Sequence, residues 1–389
     1  MLSTTSLCST RNTPMAGFRR CSRLMVAKST MPSTVGERFD GERKCRKSRA
    51  MATLVRHDAN ASCIAAVNSS QEELMASSSG GAFSILARAA LNRNGVVYGH
   101  AYVAPTKVKC VRIDNAADLH RLRGSKYVQS EMGAIMRDVL ADLRAKREVV
   151  FSGTPCQVAG LKSFLAARGA STDRLLLIDI VCHGVPSPEF FADCMDWEFH
   201  GDSLSELRFR DKSEGWGCVG AAFVTLGSNH DSMSRKRALS PKTSYYYTRF
   251  LAGDVYRESC YRCPYAGGKR PGDITLGDFW GIDHAATGLN PKQGISLVIA
   301  NTAKGELALR TVKNASQWAE RPLDEAVAGN DQLRHPTTRT AERDRILADW
   351  KARGIAALES DFRRETAWER RAWLAKRVVK KLLKGVPSR

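Results

Sequence analysis

A strand–helix–strand pattern over residues 148–181 constrains the fold of this 389-residue chain more than any other feature. The apolar run at 148–151 predicts a short buried strand, and Thr154 with Pro155 behind it predicts the start of a helix. The apolar run at 175–181 predicts a second strand, covered on both faces. A right-handed crossover makes two such strands parallel. The sequence therefore predicts an α/β fold: a mixed sheet with a parallel βαβ unit flanked by helices, plus a helical C-terminal tail.

Two cysteines directly follow these strands. Cys156 comes just after the first strand and Cys182 just after the second. Because parallel strands end at one edge of a sheet, and open α/β sheets bind ligands at that edge, we expect the two thiols to share one site. Cys156 also falls in the first turn of the helix, where the partial positive charge of the helix terminus favours a thiolate.

A third motif carries a pair of cysteines, Cys260-Tyr-Arg-Cys263. Cysteines three residues apart on a turn can bind one metal ion or one edge of a cluster, but such a pair alone is a weak signal. With Cys156 and Cys182 the motif reaches four thiolates, the number that a cubane iron–sulfur cluster uses. Zinc held by the same thiolates is the alternative on ligand count. A redox-active Cys260–Cys263 disulfide without metal is the third interpretation.

The net charge of +20 resembles that of a nucleic-acid-binding protein until it is mapped along the chain. Residues 1–50 hold 11 basic and 3 acidic residues, and residues 334–389 hold 16 and 7, whereas residues 51–333 hold 33 and 30. The body is thus close to neutral. Since no motif that reads RNA or DNA accompanies the charge, we expect no nucleic-acid partner. No apolar run approaches the roughly 18 residues that a membrane-spanning helix needs.

Composition and motifs divide the chain into four regions. Residues 1–60 are rich in Ser, Thr and Arg, which is typical of a disordered tail, of sequence translated upstream of a true start, or of a transit peptide; we favour the first two. Residues 61–147 and 148–330 form the two parts of the main domain, and residues 331–389 form a basic helical tail. Eleven cysteines without the spacing of a disulfide scaffold favour a reducing, cytoplasmic compartment.

Six motifs in collinear order over residues 70–305 carry a family resemblance. They are SSSGGAFSILA, LRGSKYVQS, FSGTPCQVAGLKSFL, DIVCHGVPSP, SCYRCPYA and RPGDITLGDFWG. These motifs resemble the coenzyme F420 hydrogenase/dehydrogenase beta-subunit family, most of all its bacterial branch associated with polysaccharide-synthesis genes. The resemblance implies a flavin-dependent oxidoreductase of mixed α/β fold that passes electrons between a 4Fe-4S cluster and FAD.

The resemblance also implies roles for individual residues. The implied cluster ligands are Cys156, Cys182, Cys260 and Cys263. The implied cofactor-binding residues are Ser79, Gly80, Gly81, Ser125, Lys126, Tyr127, Thr154 and Asp278. The candidate catalytic groups are His183 and Lys126.

Several of these residues also have a purely structural interpretation. Ser78 to Gly81 can simply start a helix, although a glycine pair beside hydroxyls also exposes backbone N–H groups to a phosphate. Lys126 can be an ordinary solvated lysine, and His183 a hydrogen-bonded structural imidazole. Residues 278–281 are expected to pack in the core, with Trp280 buried against the cluster loop.

One departure from the family pattern concerns the partner. Many relatives carry an N-terminal ferredoxin-like segment, whereas here the early cysteines match no ferredoxin run. These are Cys8, Cys21, Cys45 and Cys63. We therefore expect at most one cluster, supplied with electrons by a separate ferredoxin-like carrier. Polysaccharide-synthesis enzymes are expected as further partners. The rival function is a non-catalytic, zinc-bearing scaffold for envelope-polysaccharide enzymes.

The C-terminal tail has apolar residues at helical spacing between arginines and lysines. They are Trp368, Ala372, Ala375, Val379, Leu382, Leu383 and Val386. A basic amphipathic helix can lie on an anionic membrane surface or dock on a partner. A helix packed on its own domain, with a solvated basic face, is the alternative. We accordingly expect a cytoplasmic protein with peripheral contact at the inner membrane surface.

Overall fold

The structure is a computed structural model that describes residues 61–200, 202–226 and 233–384. Its strands are β1 Cys63–Asn68, β2 Val96–Ala104, β3 Lys107–Ile113, β4 Val149–Gly153, β5 Leu175–Ile180, β6 Ser203–Arg208, β7 Gly220–Leu226, β8 Met233–Leu239, β9 Ile274–Asp278, β10 Ser296–Ala300 and β11 Ser316–Glu320. Its α-helices are α1 Gln71–Ala76, α2 Ala82–Leu91, α3 Leu119–Leu122, α4 Ile135–Arg144, α5 Pro155–Ala166, α6 Pro188–Glu198, α7 Tyr245–Ala252, α8 Ala303–Asn314, α9 Leu323–Gly329, α10 Glu342–Glu365 and α11 Ala367–Lys384.

Eight strands form one mixed sheet in the order β11-β1-β10-β9-β5-β4-β2-β3. The four central strands β9, β5, β4 and β2 are parallel to one another, and the remaining pairs are antiparallel. The predicted α/β class, with its parallel βαβ unit and helical tail, is confirmed. Strands from both predicted parts of the main domain share this sheet.

The central strands are apolar because helices cover both faces of the sheet. In β4, Val150 packs into the core beneath α2 and α8, while Val149 and Phe151 pack into the core beneath α4 and α5. This alternation follows from the two-residue period of side chains along a strand. The same period explains why the β4 and β5 sequences are nearly continuous apolar runs.

Apolar residues at helical spacing predict helices at 82–91 and at 131–147, and the two predictions have contrasting outcomes. The helix predicted at 82–91 is α2 with the same bounds. The helix predicted at 131–147 is shorter, and the prediction is wrong for its first residues. Glu131 is extended and pairs with β3, since its N–H donates to Val108 O and its carbonyl accepts from Cys110 N, both at 2.9 Å. Gly133 then turns the chain with φ of +52° before α4 begins.

A second, three-stranded antiparallel sheet has the order β6-β7-β8. It packs with α6, α7 and α10 around an aromatic core. That core includes Phe190, Phe191, Phe209, Tyr245, Tyr246 and Tyr247. Within the described ranges, no helix is both long enough and apolar enough to cross a lipid bilayer.

Candidate functional site

The carboxyl ends of β4, β5 and β9 lie side by side, because these strands are adjacent and parallel. Thr154 directly follows β4, Cys182 lies two residues after β5, and Asp278 is the last residue of β9. The structure thus brings Cys156 and Cys182 to one edge, as the parallel pairing predicts. This is the edge at which open α/β sheets bind ligands.

Cys156 is positioned at the start of α5 by its immediate neighbours. Pro155 occupies the first turn, where a missing N–H costs no hydrogen bond. The backbone N–H of Thr154 donates to Gln157 Oε1 at 2.9 Å, and the Thr154 hydroxyl lies 3.2 Å from Cys156 Sγ. Cys156 is exposed, so its thiol remains accessible at the sheet edge.

Cys182 lies in a loop that packs tightly against the segment before the CxxC motif. Gly184 has φ of +137°, and a Cβ added there would come within 2.4 Å of the Tyr256 ring. Only glycine adopts this conformation and permits this approach at low cost. Beside it, the Arg257 N–H donates to Val185 O at 2.9 Å. The two cysteine-bearing segments are therefore held in direct contact.

A buried ion pair holds the loop that follows the CxxC motif. The Arg270 and Asp179 side chains are 1% and 0% exposed, and they are joined at 2.6 Å. Arg270 also donates to Ile180 O at 2.8 Å and to Tyr265 O at 3.0 Å, while Thr275 Oγ1 donates to Asp179 at 2.8 Å. Since a buried charge must be paired and hydrogen-bonded, this network fixes the loop to the end of β5.

We call Cys156, Cys182, Cys260 and Cys263 the cysteine edge. All four thiols are free. Burial, and then the neighbouring thiols of the other three, raise the pKa of Cys182 to about 12, against a backbone hydrogen bond from Gly184. Burial also raises the pKa of Cys260, with Cys156 and Cys263 contributing. The structure therefore brings the four predicted ligands into one neighbourhood.

The arrangement of the cysteine edge can be compared with what a single zinc ion and a cubane cluster each require of their ligands. Among the residues that the structure describes, no group of three or more His, Cys, Asp or Glu is arranged to hold a single metal ion. A zinc ion requires its sulfur ligands at about 2.3 Å from one centre. A cubane cluster sets a different requirement, since each of four thiolates binds a different iron atom. Four free thiols from three chain segments fit that donor set.

The segment leading into α10 contacts the cysteine edge. Arg343 Nε donates to Tyr256 O at 2.8 Å, and Arg343 Nη1 lies 3.2 Å from Glu258 Oε2. Thr337 Oγ1 donates to His183 O at 2.6 Å. The start of the C-terminal tail thus contacts residues directly beside the cysteine edge.

The His183 imidazole lies between the cysteine edge and the end of β9. It follows Cys182 in the chain, and the carboxylates of Asp278 and Asp331 act on it. Burial lowers the pKa of His183, and the two carboxylates oppose that effect. The lowered pKa favours the neutral imidazole over the imidazolium. Its catalytic role stays a prediction.

The loops at 77–81 and 124–127, predicted to bind the flavin, are hydrogen-bonded to each other. Ser78 Oγ accepts from the Ser125 N–H at 2.8 Å and lies 2.9 Å from the Ser125 hydroxyl. Ser79 donates its hydroxyl to Ile295 O at 2.9 Å. The structure thus brings together two segments that are far apart in sequence.

Gly80 and Gly81 are explained by packing. A Cβ at Gly80 would come 2.0 Å from Ala66 O and 2.5 Å from Ser296 N, so only glycine fits between β1 and β10. Gly81 has φ of +84° at the position before α2, a left-handed conformation that favours glycine. This is the structural interpretation of the motif, and phosphate binding by these residues stays a prediction.

Lys126 is held by backbone carbonyls. Its ammonium donates to Arg123 O at 2.6 Å, Leu122 O at 3.1 Å and Arg121 O at 3.3 Å. These carbonyls lie at the end of α3, where the helix dipole favours a cation. Burial lowers the pKa of Lys126 to about 7. The simple expectation of a solvated lysine is therefore wrong.

A group of aromatic and charged side chains surrounds Arg210. Arg210 Nη1 donates to Asp278 Oδ2 at 2.8 Å and lies 3.5 Å from the Tyr127 hydroxyl. The Trp216 and Trp280 rings stack with centroids 4.3 Å apart, and the Arg210 guanidinium carbon lies 5.5 Å from each centroid. With Lys212, these residues form what we call the arginine cluster.

The arginine cluster has polar atoms that are buried without a partner. Among the described residues, Arg210 Nε and Nη2 and Asp278 Oδ1 have no hydrogen-bond partner. Lys212 is also buried, and its ammonium donates to Leu74 O at 2.7 Å and to Ser79 O. Burial lowers the pKa of Lys212 to about 8. Because unpaired buried polar atoms are costly, the two Arg210 donors fit an anionic group of a bound ligand, and the Asp278 acceptor fits a hydrogen-bond donor of that ligand.

Sequence reasoning missed three members of the arginine cluster: Arg210, Lys212 and Trp216. The signal that could have found them is an Arg-x-Lys pair followed by a tryptophan between two glycines, in the turn that joins β6 and β7. The expectation that residues 278–281 pack in the core, with Trp280 buried, holds for only part of this segment. Phe279 is buried in the core, whereas Trp280 is half-buried and stacks on Trp216.

Comparison with known proteins gives one family match. Residues 146–326 match the family described as the C terminus of the coenzyme F420 hydrogenase/dehydrogenase beta subunit. No curated protein matches the chain. Among solved structures, the chain is similar to a chain of the F420-reducing [NiFe] hydrogenase complex from Methanosarcina barkeri. The identity is 14% and the TM-score is 0.47, over 76% of this chain and 94% of that chain.

Proposed function

We propose that this chain is a redox protein that transfers electrons between a 4Fe-4S cluster and FAD, because residues 146–326 match the C-terminal region of the coenzyme F420 hydrogenase/dehydrogenase beta-subunit family. The cysteine edge would hold the cluster, and the arginine cluster would bind the flavin. Such a cluster, when bound, supplies one-electron transfer, while a flavin handles one or two electrons.

One observation carries this proposal: cysteines from three distant segments lie together at the carboxyl edge of the sheet. Cys156 follows β4, Cys182 follows β5, and the Arg257 N–H, three residues before Cys260, donates to Val185 O at 2.9 Å. Chance burial of isolated cysteines would not produce this convergence, because a buried unpaired cysteine is simply a small apolar residue. Cys110 and Cys194 illustrate that case, since both lie in apolar cores.

The residues around the cysteine edge would keep the ligands in place. The Arg270–Asp179 pair fixes the loop after the CxxC motif, and Gly184 allows the Cys182 loop to pack on Tyr256. Cys156 is exposed, which would give an electron-carrying protein access to this side of the site. A ferredoxin-like carrier is therefore the proposed partner.

The residues of the arginine cluster would bind and orient the flavin. Arg210 and Lys212 are buried cations suited to its phosphates, and Trp216, Trp280 and Tyr127 are aromatic surfaces suited to its rings. His183 directly follows Cys182, and the Asp278 carboxylate raises its pKa. It therefore adjoins both the cysteine edge and the arginine cluster. We propose that it holds the proton that accompanies electron transfer.

The test is anaerobic purification of the full chain, with an absorption spectrum and quantification of iron, acid-labile sulfide and flavin. We expect a brown protein with about four iron and four sulfide per chain and FAD released on denaturation. A colourless protein that contains zinc and no acid-labile sulfide would contradict the proposal and support the zinc-bearing scaffold. A polysaccharide-related substrate and a cytoplasmic location stay predictions.

A further inference from the structure

The C-terminal helix α11 has an apolar side that the body of the protein leaves uncovered. Trp368 is 80% exposed, Leu374 50% and Val378 58%. At 3.6 residues per turn, these three positions fall within an arc of about 120° around the helix axis. A helix packed on its own domain would bury such an arc. These three side chains are therefore not packed on the body of the protein.

Two polar residues of α11 contact the body of the protein. Glu369 lies 3.1 Å from the Lys242 ammonium, and Arg370 Nη1 donates to Thr243 O at 2.6 Å. On the helix, Glu369 and Arg370 lie outside the apolar arc. The helix is thus anchored by polar contacts with its apolar side directed outward.

The charge of α11 indicates which partner would cover this side. Its sequence AWERRAWLAKRVVKKLLK holds seven basic residues and one acidic residue. An amphipathic helix with tryptophan and leucine on one side and lysine and arginine on the other lies in the plane of an anionic lipid surface. Each basic residue near such a surface adds to the attraction.

We propose that α11 docks the protein on an anionic lipid surface through Trp368, Leu374 and Val378, with the basic side chains of Arg371 and Lys376 attracted to the headgroups. Both basic side chains are exposed in the structure. The inference is independent of which cofactors the protein binds, because it rests on the exposed apolar arc and the basic charge of α11. A helix of this kind lies on the bilayer without crossing it.

The test is flotation of the full-length protein with vesicles. One set contains phosphatidylglycerol and phosphatidylcholine in equal amounts, and the other contains phosphatidylcholine alone. The apolar variant is Trp368→Ser/Leu374→Ser/Val378→Ser, and the charge variant is Arg371→Glu/Lys376→Glu. The matched control is Leu307→Ser on α8, because Leu307 is a 62% exposed apolar residue elsewhere on the surface.

We expect the parent protein and Leu307→Ser to float with the anionic vesicles and not with the neutral ones. Each α11 variant should lose about ten-fold or more of its partition coefficient, and high salt should reduce binding of the parent. Circular dichroism checks that the variants remain folded. Absence of binding to anionic vesicles, or equal binding by the parent and the apolar variant, would overturn the proposal. So would an oligomer in solution that the apolar variant abolishes, since that would show a second copy covering the helix.

Discussion

The cysteine edge and the arginine cluster meet at the same end of the sheet, yet their sequences encode them differently. Two ligands of the cysteine edge, Cys156 and Cys182, come from short motifs that directly follow strands, so local geometry positions them. The arginine cluster combines Tyr127, Arg210 and Asp278, from three segments that only tertiary packing brings together. The difference shows that a single sequence can predict a site residue that directly follows a strand. It does not predict which distant side chains the fold brings together.

The largest expected effect comes from the buried ion pair beneath the cysteine edge. Arg270→Met would leave the Asp179 charge buried and unpaired, which typically costs roughly 3–5 kcal/mol of folding free energy. Denaturant unfolding measures the loss. Glu320→Gln removes an exposed partner of Lys313 and should cost no more than about 1 kcal/mol. Equal costs for the two variants would contradict the anchoring role of Arg270.

The second prediction separates the two regions. Arg210→Gln should weaken flavin binding roughly 10- to 100-fold, because it removes a charged donor from a buried site. Iron content should stay unchanged, since the cysteine edge is built independently. Arg208→Gln, a half-exposed arginine two residues earlier, is the matched control. Flavin titration followed by fluorescence gives the affinities, and unaltered affinity in Arg210→Gln would place the flavin elsewhere.

The third prediction concerns the loop that carries Cys182. Gly184→Ala would force a Cβ into the Tyr256 ring at a positive φ, which should cost roughly 1–3 kcal/mol. Gly217→Ala, where a Cβ meets nothing within 4 Å, should change stability little. Thermal unfolding compares the two. If Gly184→Ala were as stable as Gly217→Ala, the Cys182 loop would not pack closely against the Tyr256 ring.

The smallest expected effect is a pH dependence of folding stability. It comes from two glutamates that lie away from both the cysteine edge and the arginine cluster. Burial raises the pKa of Glu198 to about 7 and that of Glu359 to about 8, and the two carboxylates reinforce this at the contact of α6 with α10. Their protonated forms are favoured in the folded state. The contribution of this pair to the folding stability of the protein should therefore be greatest below about pH 4.5 and fall as pH rises towards 8.

Glu359→Gln tests this pair directly. It should stabilise the protein by roughly 1 kcal/mol at pH 8 and flatten the decline in melting temperature between pH 5 and 8. Glu365→Gln, an exposed glutamate of the same helix, is the control and should follow the parent. A parent protein whose stability rises over this range would contradict the assignment.

Much of the fold could be predicted from the sequence where local and global signals agree. The α2 bounds and the β4–α5–β5 unit are confirmed, because caps, apolar periods and strand-end motifs all point to one structure there. Residues 146–326 also match the family that the motifs resemble. The predicted start of α4 is wrong because Glu131 pairs with β3. An apolar helical period cannot reveal a long-range strand contact.

That Arg210 and Lys212 join Tyr127 and Asp278 in one site was not predictable, for a related reason. Arg210 and Lys212 look like ordinary surface charges in the sequence, and only the packing of the small sheet against the large one buries them. The helix-end contacts of Lys126 likewise leave no mark in the sequence pattern. The early cysteines Cys8, Cys21 and Cys45 lie outside the described residues, while Cys63 is buried in β1.

The most direct test of the central claim is the iron content of Cys182→Ser, purified without oxygen, beside Cys218→Ser. The other three thiols of the cysteine edge all contribute to the raised pKa of Cys182, whereas Cys218 is a free, half-buried thiol outside it. Loss of most iron and acid-labile sulfide in Cys182→Ser, with full retention in Cys218→Ser, is the predicted result. Equal iron in the two variants would show that these four cysteines do not hold a common cluster.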